Sequence, residues 1–457
     1  MNIILIVSDT LRRDHLSCYG NTRIITPNLQ RFADQSLVFD DCYASSFPTV
    51  PARADIFTGR YTFTYLDWGP LPADEVTLAE CLTKAGYTTF GVADTPFLVR
   101  NAYGHDRGFQ DFLHIRGQRD GLERKDWLKR RSGSEADLFA PQTFQAAMDW
   151  LERNHEQQFF LYVDTWDPHE PWEPPAYYVR PYLPDYGGEV VAPVYWEYEE
   201  AGLTRREVEI AHACYCGEVS MVDHWFGLLV ERLRTFNLLE DTAIVFTSDH
   251  GFYFGEHRML GKRRFKWPGN LSFHEGFEKG LTLDHGFTYR SPLHNEVTRV
   301  PLLIHLPGTA GRRVEGLASL PDLMPTLLAI AGQPTPERVQ APSLLPLISG
   351  EAASVNDIIV TSAPFEERGG FSKTVDDRAR EALEISPSTI TDGTCDLLFS
   401  VQGDPVELYN RNADPGHQVN LFPQQRAAAQ ALHARFVAWM EEKGVDEEEL
   451  APRRRLE

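Results

Sequence analysis

The chain has 457 residues, of which 42% are hydrophobic and 24% are charged, a balance typical of a globular protein. This length favours two domains, with one large α/β domain as the alternative. The formal net charge of -22 repels phosphate backbones and anionic lipid, so we expect neither a nucleic acid nor a membrane partner. An anionic substrate would therefore need a local positive site. The sequence leaves open whether the protein forms a homo-oligomer.

The N-terminal segment predicts a first β-strand. Met1–Val7 is apolar, but it has neither the basic region nor the small-residue cleavage site of a signal peptide. Six cysteines in so long a chain do not form a disulfide framework. Cys214 and Cys216 have no second cysteine pair with which to bind zinc, so we interpret them as buried helical thiols. These features and the lack of a membrane-spanning run predict a cytoplasmic protein.

Apolar runs alternate with helical patterns along the chain. The runs that predict buried parallel strands are Ile3–Val7, Thr88–Ala93, Phe159–Val163, Ala243–Thr247 and Leu302–His305. The patterns that predict helices are Pro27–Ser36, Val76–Ala85, Pro141–Asn154 and Ile210–Asn237. This alternation predicts an α/β fold with a large doubly wound sheet, mixed in direction and flanked by helices.

The composition changes near Pro334–Pro342, where proline and polar residues predominate. A short β-like run at Ile358–Thr361 and a final helix near Gln424–Lys443 follow. We therefore predict a large α/β domain over residues 1–350 and a smaller α+β domain over residues 351–457. Within the large domain, Arg263–Pro292 is a long irregular stretch, which is typical of a lid or a binding segment.

Acidic residues follow four of the predicted strands directly. They are Asp9, Asp94, Asp164 and Asp249. Ligands of doubly wound sheets collect beyond the carboxyl ends of the strands. Asp9, Asp249 and the adjacent His250 can surround one divalent cation there and leave positions open for substrate. Taken singly, each aspartate is better interpreted as a helix cap and His250 as a core histidine, but the combination favours a metal site.

The segment Thr49–Arg53 precedes a predicted helix. A hydroxyl at a helix N-terminus beside a metal can lose its proton and attack phosphorus or sulfur. Arg53, one turn later, would orient that hydroxyl or the anion. The alternative is that Thr49 caps the helix, with Pro51 in the first turn, and contributes about 1 kcal/mol. The two roles are compatible.

These motifs together resemble the sulfatase family. The matching blocks, in chain order, are Asp9, Thr-x-Pro-x-Arg followed by FTGR, DPHEPW at Asp167–Trp172, SDHG at Ser248–Gly251, TRVPLLIHLPG at Thr298–Gly308, LPDLMPTLLAIAG at Leu320–Gly332 and ELYNRNADPGHQVNL at Glu407–Leu421. They span about nine-tenths of the chain, which is far more specific than one isolated motif. The resemblance implies an alkaline-phosphatase-like α/β domain followed by a small C-terminal domain.

The chain departs from the sulfatase pattern at the nucleophile. Sulfatases carry Cys or Ser where Thr49 stands and convert it to formylglycine, whose hydrate expels sulfate by elimination. A threonine should not undergo this conversion, whereas phosphorylated threonine is hydrolysed by water in other branches of the superfamily. Thr10 replaces a second aspartate and His250 replaces an asparagine that are common in calcium-binding sulfatases. This exchange favours manganese, zinc or iron over calcium or magnesium.

The resemblance also implies roles for residues outside these motifs. Lys262 has the spacing of the catalytic lysine of phosphonate monoester hydrolases, which would stabilise a leaving oxygen. His169 matches a histidine proposed to protonate a leaving group. Further candidates are His257 for catalysis and Thr95, Arg290 and His294 for substrate binding. The alternatives are a solvated surface lysine at Lys262 and ordinary structural roles for His257 and Thr95.

The sequence therefore predicts a metal-dependent hydrolase of phosphodiesters or phosphonate monoesters that acts through a covalent Thr49 intermediate. Its partner would be a small anionic ester, and its cofactor one divalent metal ion bound by Asp9, Thr49, Asp249 and His250. One alternative is a sulfuric ester hydrolase that works without formylglycine. A phosphotransferase would use the same intermediate. A non-catalytic anion-binding protein is the alternative from another class.

Overall fold

The computed structural model describes residues 1–95, 98–99, 103–115, 134–266, 279, 287–289, 291–365, 387–402 and 405–456. Its strands are β1 (Asn2–Ser8), β2 (Leu37–Tyr43), β3 (Thr88–Ala93), β4 (Asp111–His114), β5 (Phe159–Thr165), β6 (Trp196–Glu197), β7 (Thr242–Thr247), β8 (Tyr253–Phe254), β9 (Met259–Gly261), β10 (Arg264–Lys266), β11 (Phe287–Tyr289), β12 (Arg299–Val300), β13 (Leu302–His305), β14 (Arg312–Ser319), β15 (Ile359–Thr361), β16 (Ser388–Thr391), β17 (Cys395–Phe399) and β18 (Glu407–Asn410). Its α-helices are α1 (Pro27–Ala33), α2 (Thr49–Thr58), α3 (Leu78–Lys84), α4 (Phe139–Asn154), α5 (Ala176–Val179), α6 (Arg205–Thr235), α7 (Asn295–Thr298), α8 (Leu323–Ile330), α9 (Leu345–Ser349), α10 (Arg426–Glu442) and α11 (Glu447–Arg453).

The main sheet is mixed in direction, as predicted. Within the described residues it has nine strands, in the order β12-β2-β13-β7-β1-β5-β3-β4, with β14 also paired to β2. The block from β7 to β4 is parallel throughout. In contrast, β13 runs antiparallel to both β2 and β7. The prediction that this strand is parallel is wrong, because a continuous apolar run indicates burial on both faces and carries no information about direction.

Both faces of the main sheet are covered by helices. Alternate residues of β1 enter different cores, with Ile4 and Ile6 on one face and Ile3, Leu5 and Val7 on the other. This follows from the two-residue period of a strand. The helices α1, α4 and α6 pack on the first face, and α2, α3 and α8 pack on the second. The sheet with helices on both faces confirms the predicted α/β class.

The long helix α6 lies at the centre of one face. It begins one residue after Thr204, whose side chain accepts a hydrogen bond from the Glu207 backbone while the Glu207 side chain accepts one in return. This capping box fixes the start of the helix earlier than the apolar pattern alone predicts. Among the described residues, no helix is long and apolar enough to cross a membrane.

A second, smaller sheet lies C-terminal to residue 350. Its strands β15 to β18 pair antiparallel in chain order. A separate core joins this sheet to α10, with Ile390 and Leu397 packed near Phe436 and Trp439. The predicted boundary at residue 350 stays a prediction. Within the predicted irregular stretch from residue 263 to 292, β10 and β11 form an antiparallel pair, and residues 267–278, 280–286 and 290 lie outside the described residues.

Candidate active site

The loop after β2 brings Thr49 to the start of a buried helix. α2 begins at Thr49, and its N-terminal cap residue is Pro48, so the alternative that Thr49 caps the helix is wrong. The Thr49 Oγ1 atom lies 3.3 Å from Nε2 of His250. The positive end of the α2 dipole lies near this hydroxyl, which favours the negative charge of an alkoxide or of a bound anion.

Asp9, Asp249 and His250 converge beyond the carboxyl ends of β1 and β7. Their potential ligand atoms all lie within 4.8 Å of one another, and all three residues are fully buried. The parallel register of the two strands, which pairs Val7 with Thr247, brings the residues that follow them to the same edge. The fold therefore brings together Asp9, Asp249 and His250, which could hold a metal ion and are called the ligand group below, with Thr49 beside them.

The hydrogen bonds of His250 define which of its nitrogens faces the site. Nδ1 lies 3.1 Å from the backbone oxygen of Gly251, so Nδ1 carries the proton and donates. Nε2 keeps its lone pair and lies 3.4 Å from Asp249 Oδ2. Burial, reinforced by the nearby Lys262 ammonium, lowers the pKa of His250 well below its usual value. The imidazole is therefore neutral, which is the form that binds metals.

Arg53 connects three buried carboxylates. Its Nη1 lies 3.0 Å from Asp9 Oδ2 and 2.5 Å from Asp249 Oδ2. Nε and Nη2 donate to the two oxygens of Asp164 at 2.7 and 2.9 Å, a bidentate pair. Nη1 also donates to the backbone oxygen of Thr49 at 3.2 Å. Arg53 is fully buried, so its guanidinium neutralises and positions the acids of the site and the start of α2.

The two carboxylates of the ligand group have opposite pKa shifts. Burial, together with the charge of Asp249, raises the pKa of Asp9 well above its usual value. Burial would also raise the pKa of Asp249, but His250 and Arg53 hold it below the usual range. Asp9 Oδ2 accepts no hydrogen bond from the described residues, although the Arg53 guanidinium forms an ion pair with it. A buried carboxylate oxygen that accepts no hydrogen bond is a suitable ligand for an additional cation.

Lys262 and His169 complete the site on its other side. Lys262 is 5% exposed, so the surface-lysine alternative is wrong. Its Nζ lies 2.8 Å from His169 Nε2 and 3.2 Å from His250 Nε2. His169 Nδ1 lies 2.9 Å from the backbone oxygen of Glu170 and donates to it. The ammonium therefore donates to the lone pair of His169 Nε2, and a proton can be held between these two residues.

The other two strand-end acids have different positions. Asp164 holds Arg53 and also accepts a hydrogen bond from Thr95 Oγ1 at 2.5 Å and from the Tyr162 hydroxyl. The described bond of Thr95 is thus to Asp164, and its predicted contact with substrate stays a prediction. Asp94 accepts a hydrogen bond from the Trp166 backbone N–H at 2.5 Å. The sequence places both acids at strand ends but does not reveal that Asp164 anchors Arg53.

A second histidine group contains the remaining candidates. The rings of His257 and His294 stack with centroids 3.8 Å apart. His294 Nδ1 lies 3.0 Å from His417 Nδ1, and His417 Nε2 lies 2.8 Å from Asp396 Oδ2. This group connects His294, at the start of α7, to Asp396 of the C-terminal sheet. The predicted roles of His257 and His294 stay predictions, and Arg290 lies outside the described residues.

Two backbone positions next to the ligands are sterically unusual. Thr10 has a φ of 61°, a conformation that is costly for a β-branched residue. Its N–H donates to Asp249 Oδ1 at 2.9 Å and its hydroxyl to Asp9 Oδ1 at 2.6 Å, so both ligand carboxylates hold it. At Gly251, a Cβ atom would come within 2.0 Å of the Glu296 backbone oxygen. Only glycine fits there, which explains the last residue of SDHG.

The residues present fit a divalent metal ion. Two carboxylates and a neutral imidazole are a ligand set found around transition metals, and Asp9 Oδ2 receives no hydrogen bond from the part of the chain that the structure describes. Asp9, Asp249 and His250 would hold such an ion. The hydroxyl of Thr49 lies beside them.

The architecture around this site is that of the alkaline-phosphatase-like hydrolases, a mixed sheet flanked by helices. The sulfatase family model matches residues 1–333, which include Thr49, the ligand group and Lys262. The chain belongs to the sulfatase family and is a hydrolase. Members of this family generally bind a divalent metal ion.

Individual relatives are distant but match over nearly the whole chain. An arylsulfatase of Clostridium perfringens (strain 13 / Type A) is 25% identical over 473 residues, covering 90% of this chain and 89% of that protein. Human arylsulfatase A is 27% identical over 470 residues, covering 92% and 83%. The crystal structure of a phosphonate monoester hydrolase of Agrobacterium radiobacter superposes with a TM-score of 0.75 at 20% identity, covering 97% and 96%. This last likeness shows the fold.

Proposed function

We propose that the protein hydrolyses phosphodiesters or phosphonate monoesters and that Thr49 Oγ1 is the nucleophile. The observation that carries this proposal is the position of an unmodifiable threonine hydroxyl at the start of α2, 3.3 Å from His250 and directly beside the ligand group. A phosphorylated threonine can be released by water. A sulfated threonine would need displacement at sulfur, because no formylglycine hydrate is present to expel sulfate.

In the first step, Thr49 Oγ1, whose hydroxyl proton has left to solvent, forms a bond to phosphorus, and the bond from phosphorus to the leaving oxygen breaks. A divalent ion held by Asp9, Asp249 and His250 would supply Lewis acidity, which would lower the pKa of the hydroxyl and offset negative charge. Arg53 orients α2 through its bond to the Thr49 backbone oxygen. The buried site excludes bulk water, which strengthens each of these interactions.

The leaving oxygen gains a proton from the paired Lys262 and His169. Their 2.8 Å contact lets the two side chains share one proton, and the ammonium stabilises the departing oxygen. In the second step, water attacks the phosphothreonine, the bond from phosphorus to Thr49 breaks, and the same pair accepts a proton from the water. The site thus supplies both steps with one set of side chains.

Sulfuric ester hydrolysis is the second candidate function. It is favoured by the relatives, since two of those compared above are named arylsulfatases. In that case Thr49 or an activated water would attack sulfur without formylglycine. A non-catalytic anion-binding protein is less favoured, because the ligand group, Arg53 and Lys262 are all in place.

The experiment that tests the proposal is a matched series of aryl esters. One metal-loaded preparation is assayed on a phosphodiester, a phosphonate monoester and a sulfate ester with the same leaving group. We expect kcat/KM for the phosphorus esters to exceed that for the sulfate by about 100-fold, or about 2.7 kcal/mol of transition-state discrimination. Faster multiple turnover on the sulfate would overturn the assignment in favour of the second candidate.

We further propose that the ion is manganese, zinc or iron. The imidazole and the absence of a third carboxylate in the ligand group favour these metals over calcium or magnesium. Elemental analysis of the purified protein, compared with an Asp249→Asn variant, tests this. We expect the variant to contain about one equivalent of metal less than the wild type. Calcium retained equally by both proteins would contradict the proposed site.

We also propose that the protein works in the cytoplasm on a small anionic ester. All six cysteines are free thiols, which suits a reducing compartment. The net charge of -22 disfavours binding to nucleic acid or anionic membranes, so the positive groups of the site itself would select the substrate. The oligomeric state is not part of this proposal.

A further inference from the structure

A second group of potential metal ligands lies outside the active site. His15, His212 and Cys216 place their ligand atoms within 4.8 Å of one another. His15 Nε2 lies 2.8 Å from His212 Nε2, and Cys216 Sγ lies 3.6 Å from the same His212 nitrogen. His15 and Cys216 are buried and His212 is half-buried. Two imidazole nitrogens and a thiol therefore face one point.

The fold explains why these three residues meet. His212 and Cys216 are four residues apart on α6, so they lie on the same face of the helix. His15 comes from the short 3-10 turn after β1. Cys214 is two residues from Cys216 and therefore points to a different side of α6. The sequence-based interpretation paired the two cysteines, found no zinc site and assigned both as simple buried thiols. For Cys216 that interpretation is incomplete, because its neighbours are histidines.

The orientation of His15 is fixed by its neighbours. Its Nδ1 lies 2.8 Å from Asp14 Oδ1, to which it donates. Arg12 in turn donates to both oxygens of Asp14, at 2.9 and 2.6 Å. A carboxylate on the far nitrogen of a histidine is the usual support for a metal-binding imidazole, because it fixes the tautomer and increases the basicity of the other nitrogen. The lone pair of His15 Nε2 thus faces His212 Nε2, and a ligand atom of Cys216 lies within 4.8 Å of both nitrogens.

We propose that His15, His212 and Cys216 bind a zinc ion, separately from the metal of the active site. Two imidazoles and one thiolate are a ligand set that zinc prefers, with a water molecule in the fourth position. Tetrahedral zinc with these ligands needs N···N separations of about 3.3 Å and N···S separations of about 3.6 Å. The Cys216 to His212 distance already has this value, and the two imidazoles need to move apart by about 0.5 Å.

Binding of the ion would deprotonate the cysteine. The step is written as Zn²⁺ plus the Cys216 thiol giving a zinc–thiolate bond and one proton, which leaves to solvent.

The bound zinc would fasten the segment after Asp9 to α6. Tyr215, between the two helical ligands, already accepts a hydrogen bond from the Arg12 N–H at 2.8 Å and donates to the Thr10 backbone oxygen at 2.9 Å. A zinc ion bound to His15 would add a third attachment further along the same segment. The role of this ion is thus structural, and it does not depend on which ester the enzyme hydrolyses.

Cobalt substitution tests the proposal directly. The full-length protein is stripped of metal and titrated with Co²⁺, which gives a thiolate-to-metal charge-transfer band in the near ultraviolet only when a cysteine is a ligand. The active-site group has no cysteine, so occupation of that site cannot produce the band. We expect the band in the wild type and in Asp249→Asn, in which the active-site group is disrupted.

Two cysteine variants form the matched control. Cys216→Ser should abolish the band, while Cys214→Ser, a change in the same helix, should keep it. If Cys216→Ser does not fold by circular dichroism, His212→Gln serves instead and should weaken cobalt binding at least tenfold. A wild type without the band, or a band that survives in Cys216→Ser or keeps its full affinity in His212→Gln, would overturn the proposal. As a second measure, Zn²⁺ should raise the Tm of Asp249→Asn but not of Asp249→Asn/Cys216→Ser.

Discussion

Lys262 Nζ lies 2.8 Å from His169 Nε2, although the two residues are far apart in the chain. The bond of His169 Nδ1 to Glu170 leaves Nε2 as an acceptor, so Lys262 is the donor of this pair. The same ammonium lies 3.2 Å from His250, on the side of the ligand group. Lys262 therefore connects the group that would hold the metal with the group that would protonate the leaving oxygen.

Removal of the Lys262 ammonium should slow the chemical step. For Lys262→Met we expect kcat to fall by about 100- to 1,000-fold, the usual effect of losing one group that stabilises transition-state charge. Methionine has a similar length and suits a buried position, so the fold should persist. Steady-state kinetics on an aryl phosphodiester with good and poor leaving groups gives the measurement. A loss equal for both leaving groups would argue against assistance to the departing oxygen.

Replacement of Thr49 should abolish turnover while the protein remains folded. Thr49→Ala removes the only hydroxyl proposed to attack, and covalent catalysis cannot proceed without it. Thr49→Ser is the matched control, since it keeps the hydroxyl and should keep measurable activity. When the wild type is quenched rapidly during turnover of an ester labelled at phosphorus, the label should be found on Thr49. If kcat of Thr49→Ala equals that of the wild type, an activated water attacks instead.

Arg53 should be a large contributor to stability. Its removal leaves the carboxylates of Asp9, Asp164 and Asp249 buried without their cation. For Arg53→Met we expect the free energy of unfolding to fall by about 3 to 5 kcal/mol. The control is Arg206→Met, whose ion pairs with Asp185 and Glu209 are solvent-exposed, so its loss of stability should be much the smaller of the two. Urea unfolding of the metal-free proteins compares the two. Equal losses would mean that the buried network contributes nothing beyond a surface pair.

Asp322 should make stability depend on pH. Burial raises the pKa of this carboxyl to about 7, even though Ser319 N–H and Asn356 donate to its Oδ2. In the unfolded chain its pKa is about 3.9. The protonated carboxyl contributes its full stabilisation below the unfolded pKa. Above it the unfolded state loses its proton first, so the contribution falls as the pH rises and is lost once the pH has passed the pKa of the folded state.

The Asp322→Asn variant isolates this contribution. Between pH 5 and pH 8 we expect the wild type to lose about 2 to 3 kcal/mol more unfolding free energy than the variant. Urea unfolding at both pH values measures the difference. Parallel pH profiles of the two proteins would show that the carboxyl titrates near its ordinary pKa in the folded state.

The fold and the ligand group could be predicted because they depend on local patterns. Apolar runs mark buried strands, and the acid after each run marks its carboxyl end, so the sequence alone identifies Asp9 and Asp249 as candidates. Strand direction in β13 could not be predicted, since an apolar run looks the same in both directions. The role of Asp164 as the anchor of Arg53 also escaped prediction, because it depends on contacts between β5 and α2. The meeting of His15 with Cys216 is likewise tertiary.

The Arg53 network also has a consequence for how the enzyme is made. The ion pairs of the Arg53 guanidinium form only when the ends of β1, β5 and β7 and the start of α2 are all in place. These segments are far apart in sequence. A nascent chain that has not yet added β7 lacks Asp249 and His250, and with them any catalytic centre. Contacts of such long range form late and slowly. Recovery of activity during refolding should therefore follow, and never precede, closure of the central sheet.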